Sequence, residues 1–396
     1  MSFSFGFSGD DIEDDTQDAL ATKLENTNIS PVASVTTLFA PQRHTLAELL
    51  QSIPSQVSYN YIDVPVLSAQ NDAAADNGNG DVRVPRREIH DIRQQLMAEA
   101  EVDQADTTTS STDSLLEGLA RGDLSTGVYE GGFKTWECAV DLAGFVCSRV
   151  GGERMGERAQ WHVVELGAGS AVPSLVLLQK VLRERRGWRK GTGEGASTGK
   201  IRFTLCDYNE DVLRLCTAVN VFLTVTLEGE GSTLEHEAAA EDSEGGAEEG
   251  YVEVDEDVVR KALKALEDAN VEIDFVSGAW GKDFLQLLYR GEQDSQSMAG
   301  PPREQSRTLV LASETIYSPS SLGVFTKLVY DMLSEEAPIG PGRREAFVAA
   351  KKVYFGVGGG VAEFEEELRR LGGRATTVLD VKGVGVGRVV LEVSIN

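Results

Sequence analysis

The sequence predicts an α/β protein: a doubly wound, mostly parallel seven-stranded sheet, closed by an antiparallel C-terminal hairpin and preceded by a largely disordered N-terminal extension. Three observations carry this. Short β-branched runs alternate with apolar segments of helical spacing from residue 161 onward, which calls for right-handed crossovers and parallel neighbours. The first run, Val163–Ser170 (VVELGAGS), passes through a Gly-x-Gly turn into the helix that opens at Ala171, the outline of a junction that cradles an anionic or carboxylate group. The last two runs are separated only by the glycine-rich 382–388, too short for a crossover helix, so they pair antiparallel.

In chain order, the N-terminus opens with Phe3, Phe5 and Phe7 on one side of an extended segment, suited to adding an edge strand or filling a partner's groove. Residues 25–112 are rich in Ser, Thr, Asn, Asp, Gln and Pro and read as mostly unstructured. The exception is a helix over 86–102, where Ile89, Ile92, Leu96 and Ala100 recur at helical spacing. Residues 1–112 are therefore taken as the extension and 113–396 as the folded domain. In that domain a glycine-rich turn within Gly127–Val146 feeds an amphipathic helix from about Thr135. Strands are expected over 161–166, 201–206, 273–277, 308–313, 347–355, 376–381 and 389–395, with helices over 171–183, 210–223, 321–333 and 361–371. The polar segments 184–200, 228–257 and 291–307 read as insertions between elements, where added length costs little.

Composition sets limits. The chain has 396 residues, 41% of them hydrophobic, enough for a substantial core. Its net charge of −27 is concentrated, with six carboxylates in residues 1–18 and thirteen in Glu228–Asp257, and no Lys or Arg in either. Such runs are solvated or dock a basic partner. No basic face is evident for direct nucleic-acid binding, and no apolar run or leader suggests a membrane span or secretion. Cys138, Cys147, Cys206 and Cys216 form no CxxC pair and are expected as buried thiols of a reducing compartment. His44, His90, His162 and His236 lie far apart, so no metal site is expected. The absence of a GxSxG elbow leaves serine-triad acyl transfer unsupported.

In an open parallel sheet the ligand sits beyond the carboxyl ends of the strands, so these ends are where chemistry is sought. Strand one presents Gly167 and Gly169. Strand two ends in Asp207-Tyr208-Asn209; Asp207 is placed to accept both hydroxyls of a ribose, or to cap the next helix. Strand three ends in Ser277-Gly278-Ala279-Trp280, whose indole either stacks on a purine or packs beneath a loop. Strand four ends in Ser313-Glu314-Thr315-Ile316-Tyr317, a carboxylate and a phenol three positions apart that can hold a polar substrate head. Strand five ends in the glycine-rich Tyr354–Gly360, which lacks the Gly-Lys-Ser/Thr of a phosphate-binding loop.

With these residues in view, Gly127–Ile395 resembles the seven-stranded, Rossmann-like S-adenosylmethionine-dependent methyltransferases. More narrowly, GVYEGGFKTWEC at Gly127–Cys138, DYN at Asp207–Asn209, SGAW at Ser277–Trp280, SETIYSP at Ser313–Pro319 and YFGVGGGV at Tyr354–Val361 resemble the eukaryotic protein-histidine methyltransferases. Members of that family modify a histidine of a large-subunit ribosomal protein, and their N-terminus is similar to the Phe-x-Phe-x-Phe start. The resemblance implies S-adenosyl-L-methionine as cofactor. Thr135, Trp136, Glu137, Cys138, Gly167 and Gly169 would face its methionine part, Asp207, Tyr208 and Asn209 its ribose and adenine, Gly278 and Trp280 the adenine side, and Ser313 the cleft floor. It further implies a large-subunit ribosomal protein as partner, a supporting role in ribosome assembly and translation, a monomer, and a cytoplasmic and nuclear location. Glu314 is expected to orient the substrate ring by accepting its far N–H, with Tyr317 beside it. Ala168 and Ala171 replace a cysteine and a third glycine common among relatives; both are small, so the turn is expected to survive. A protein-lysine methyltransferase stays open, because Glu314-x-x-Tyr317 also resembles the motif those enzymes set around a lysine amine. So does a cofactor-binding ribosome-assembly factor.

Overall fold

The computed structural model describes residues 39–67, 81–103, 115–116, 132–150, 155, 159–192, 199–229, 249–295, 306–334, 337, 342–354, 358–382 and 386–395. The strands are β1 (Gln42–Thr45), β2 (Gln56–Val64), β3 (Val82–Arg87), β4 (Gln160–Leu166), β5 (Ile201–Asp207), β6 (Glu249–Glu253), β7 (Val271–Ser277), β8 (Ser306–Ser313), β9 (Arg343–Lys351), β10 (Gly373–Val381) and β11 (Arg388–Ile395). They build an eight-stranded sheet in the order β1-β7-β5-β4-β8-β9-β11-β10 and a three-stranded sheet in the order β3-β2-β6.

The centre of the large sheet, β7-β5-β4-β8-β9, is parallel. Its strands are buried through their middles, and β5 at every residue, as a sheet covered on both faces requires. Period-two alternation divides β4 between two cores. Trp161 and Val163 pack in the core shared with helices Glu137–Arg149, Val172–Thr192 and Ala218–Gly229. Val164 and Leu166 pack in the other, with helices Lys282–Ser295, Pro319–Leu333 and Val361–Arg370. The C-terminal hairpin is antiparallel as expected, and β11 inserts between β9 and β10. All four cysteines are buried thiols.

The extension departs from expectation. It is not mostly unstructured to residue 112: β1 pairs antiparallel with β7 as the eighth strand, and β2 with β3 and β6 forms the second sheet. Six of its apolar residues, Leu46, Leu49, Leu50, Val57, Val64 and Val84, are buried in the main core. Scattered through polar sequence, they leave composition looking unstructured although each finds a distant partner. The helix expected over 86–102 runs Ile89–Asp103. The insertions are also smaller than expected. The first helix continues to Thr192, and 228–257 contains β6 and the start of helix Glu256–Asp268, whose N-cap Asp255 accepts from Val258 N at 2.8 Å. Helix Lys282–Ser295 runs into the expected 291–307 segment. Strand five begins at Arg343 and ends at Lys351, four residues short of Phe355. Phe3, Phe5 and Phe7, and much of the acidic stretch, lie outside the described residues.

Candidate functional site

A cavity of about 460 Å³ opens at the carboxyl ends of β4, β5, β7, β8 and β9. Its first wall is the turn after β4. Gly167 and Gly169 adopt φ of +68° and +51°, the left-handed region that glycine enters without strain. A Cβ on Gly167 would stand 2.9 Å from Thr315 Cγ2, and one on Gly169 3.0 Å from Gly132 O, so both positions are closed to larger residues. Ala171 also lies at φ +59°, a strain that a glycine there would avoid.

Side chains from four elements hold this turn. Asp207 Oδ2 accepts from Gly169 N (3.1 Å) and Oδ1 from Asn209 N (3.2 Å). The Thr217 hydroxyl donates to Gly169 O (2.6 Å) from a π turn, Leu213–Thr217, the kind of irregularity that aims side chains at a site. Asn220 Nδ2 donates to Ser170 O (3.0 Å), and the Thr135 hydroxyl to Ser170 Oγ (2.8 Å). Asn220 Oδ1 in turn accepts from Arg87 N (2.7 Å). The buried Arg87 guanidinium reaches Leu215 O, Gln95 and Asp91. Beneath the turn, fully buried Glu165 accepts from Ser174 N (3.0 Å), and burial pushes its carboxyl up to about 8.

The second wall is aromatic. The Tyr208 ring lies 4.8 Å from that of Phe39. Gly278, at φ +103°, has no room for a Cβ against Pro41 Cα at 2.8 Å. Ala279 N donates to Phe39 O (3.0 Å), so residues 39–41 brace this side. Trp280 packs its ring 5.2 Å from Phe325 while lining the cavity, and its Nε1 has no acceptor among the described residues.

The third wall is ionic. Glu314, at φ +55°, directly follows β8, and its backbone N donates to Ala349 O of β9. Its side chain is 11% exposed. Oε2 accepts from the Tyr354 hydroxyl at 2.5 Å, whereas Oε1 accepts no hydrogen bond and has Lys351 Nζ at 3.6 Å. Lys351 also pairs with Glu137 Oε2 (3.2 Å) and stands 5.1 Å from the centre of the Trp136 ring. Burial first, and the Glu314 charge next, push the Tyr354 phenol well above its usual range, so it remains a donor.

Of the residues singled out in the sequence, Trp136, Gly167, Gly169, Asp207, Tyr208, Trp280, Ser313, Glu314 and Tyr317 line this one cavity. Thr135, Glu137, Cys138, Asn209 and Gly278 do not. Thr135 holds Ser170, Glu137 holds Lys351, buried Cys138 lies beside Glu314, Asn209 stands at the N-cap position of the helix after β5 without a side-chain capping bond, and Gly278 packs on Pro41. Sequence reasoning missed Lys134, Ser170, Thr315, Val324, Lys351 and Tyr354, which also line it. Tyr354 sits within a recognised motif, but placing strand five four residues late hid Lys351 as its last residue.

No protein-family model matches the chain. It is similar to curated relatives. Histidine protein methyltransferase 1 of Saccharomyces cerevisiae is 30% identical over 390 residues, covering 93% of this chain and 90% of the yeast protein. Its Schizosaccharomyces pombe namesake is 30% identical over 373 residues, covering 93% and 85%. A Dictyostelium discoideum homolog is 27% identical over 278 residues, covering 70% and 62%. Among solved structures, a magnesium protoporphyrin IX methyltransferase from Synechocystis PCC 6803 matches at TM-score 0.30 and 9% identity, over 76% of this chain and 95% of that one, too distant to bear on function.

Proposed function

The chain belongs to the histidine protein methyltransferase family, and we propose that it transfers a methyl group from S-adenosyl-L-methionine to a ring nitrogen of a histidine in a protein substrate. Within that reading the substrate is a large-subunit ribosomal protein, modified by a monomer in cytoplasm and nucleus without direct nucleic-acid contact. The observation that carries the chemistry is Glu314: a carboxylate only 11% exposed that lines the same cavity as the glycine turn, with one oxygen anchored by Tyr354 and the other accepting no hydrogen bond.

The residues present fit the cofactor. The cavity, about 460 Å³, is of the size that small-molecule sites occupy. The turn at Gly167 and Gly169 lets backbone approach a ligand, Asp207 and Tyr208 line the side suited to a ribose, and Trp280 offers a flat face with an unused donor. When bound, a sulfonium supplies the methyl electrophile and leaves as a thioether without acid assistance. The protein's task is then to hold a lone pair in line within a dry cleft. A neutral imidazole offers one when its other nitrogen carries the proton. Glu314 Oε1 accepts that far N–H, which selects the tautomer and stabilises the positive charge growing on the ring. Tyr354 fixes the carboxylate's orientation through Oε2. The remaining ring proton leaves to solvent as product departs.

The test is incubation with methyl-deuterated S-adenosylmethionine and large-subunit ribosomal proteins, followed by peptide mass spectrometry. Label on a histidine of one such protein is expected. Label on lysine overturns the histidine assignment, and label on no large-subunit protein overturns the substrate.

A further inference from the structure

We propose that Lys351 decides which side chain this cleft methylates: by pairing with Glu314 it keeps that carboxylate an acceptor for a neutral imidazole N–H and withholds it as a counter-ion for a lysine ammonium. This rests on the histidine reading above and adds a determinant of specificity to it.

Lys351 is the last residue of β9, and its ammonium lies 3.6 Å from Glu314 Oε1 and 3.2 Å from Glu137 Oε2. A substrate lysine enters as a cation and needs a carboxylate to receive it before losing its proton. Here the nearest carboxylate already faces a cation, so a second ammonium meets like charge in a poorly solvated space. The imidazolium form of histidine meets the same repulsion. A neutral ring does not, and its N–H finds the one Glu314 oxygen that accepts no hydrogen bond. The cation therefore lowers the pKa of the bound ring and raises its nucleophilic fraction near neutral pH.

The groups around Lys351 leave this role to it. Burial alone would lower its ammonium, but the charges of Glu314 and Glu137 outweigh burial and hold it above the ordinary lysine range. Burial first and Glu314 next push the Cys138 thiol, on helix Glu137–Arg149, and the Tyr354 phenol upward, so both are neutral. On β11, Arg388 is committed to Asp141 by two hydrogen bonds (2.5 and 3.2 Å) and acts on Glu137 only at longer range. Lys134 lines the same cavity and is unchanged in every variant below. Removing the Lys351 charge leaves Glu137 and Glu314 without the ammonium between them, an arrangement that attracts cations.

The test uses the full-length protein as wild type, Lys351→Met and Lys351→Arg, with radiolabelled S-adenosylmethionine and salt-extracted large-subunit ribosomal proteins. Rates are measured from about pH 5.5 to about pH 9, spanning the ordinary imidazole value of about 6.5, and label is resolved into methylhistidine and methyl-lysine. Lys351→Met is expected to move the acid limb of the rate profile up by about one pH unit and to put at least about a tenth of the label into methyl-lysine. Lys351→Arg is expected to keep the wild-type limb and product. Lys351→Gln is the second neutral variant if Met unfolds the strand end. A neutral variant with the wild-type limb and histidine-only product, or with activity lost equally at every pH, overturns the proposal, since a merely structural lysine behaves so. Methyl-lysine from the wild type is a different failure: it overturns the histidine reading itself.

Discussion

On the β4 side of the cleft the surface offered to a ligand is backbone, whereas on the β8–β9 side it is side chain. The first is made by two glycines in the left-handed region, and its rigidity is borrowed from Asp207, Thr217 and Asn220 behind it. The second is a set of facing groups, Glu314, Tyr354 and Lys351, brought from a strand end and the next strand end, with Glu137 of a helix pairing Lys351 from outside the cavity. A backbone wall approaches a common ligand closely and tolerates little change in shape. A side-chain wall can be retuned residue by residue, which is where a choice of substrate is made.

That contrast can be pressed at several points. Gly167→Val places a β-branched residue at φ +68° against Thr315; the strain of about 3 kcal/mol should weaken cofactor binding about a hundredfold, read by calorimetry, and wild-type affinity would mean that the turn is not the cofactor wall. Asn220→Ala removes the partner of both Arg87 N and Ser170 O. Leaving these buried groups unpaired should cost about 2–3 kcal/mol, seen in denaturant melts together with weaker cofactor binding. Glu165, raised to about 8, destabilises the fold as pH climbs from its unfolded value towards 8, because only the unfolded chain releases the proton readily. Melting temperature should therefore fall over that window, and Glu165→Gln should flatten that fall. Phe39→Ala, which strips the ring packed at a tilt against Tyr208, should loosen cofactor binding only a few-fold, about 0.5–1 kcal/mol.

The two walls also differ in how far sequence reveals them. The glycine turn and Asp207 announce themselves because their chemistry is local: a β-branched run, two glycines and an acid at the end of the neighbouring strand. Glu314 is visible for the same reason. Its partners are not. Tyr354 lies 40 residues away, and Lys351 reads as mid-strand until the pairing of β9 with β8 sets the register at Ser313 and Ala349. The brace behind the glycine turn is hidden for a related reason. Arg87 and Asn220 are 133 residues apart, and Arg87 sits in a segment whose polar composition masks β2 and β3.

The division of labour between the walls is tested most directly by Glu314→Gln, measured twice: cofactor affinity by calorimetry and methylhistidine formation under saturating cofactor. Loss of the orienting carboxylate should lower turnover by about a hundredfold to a thousandfold while affinity stays within about twofold of wild type. Normal turnover, or turnover lost only in proportion to cofactor affinity, would contradict the account.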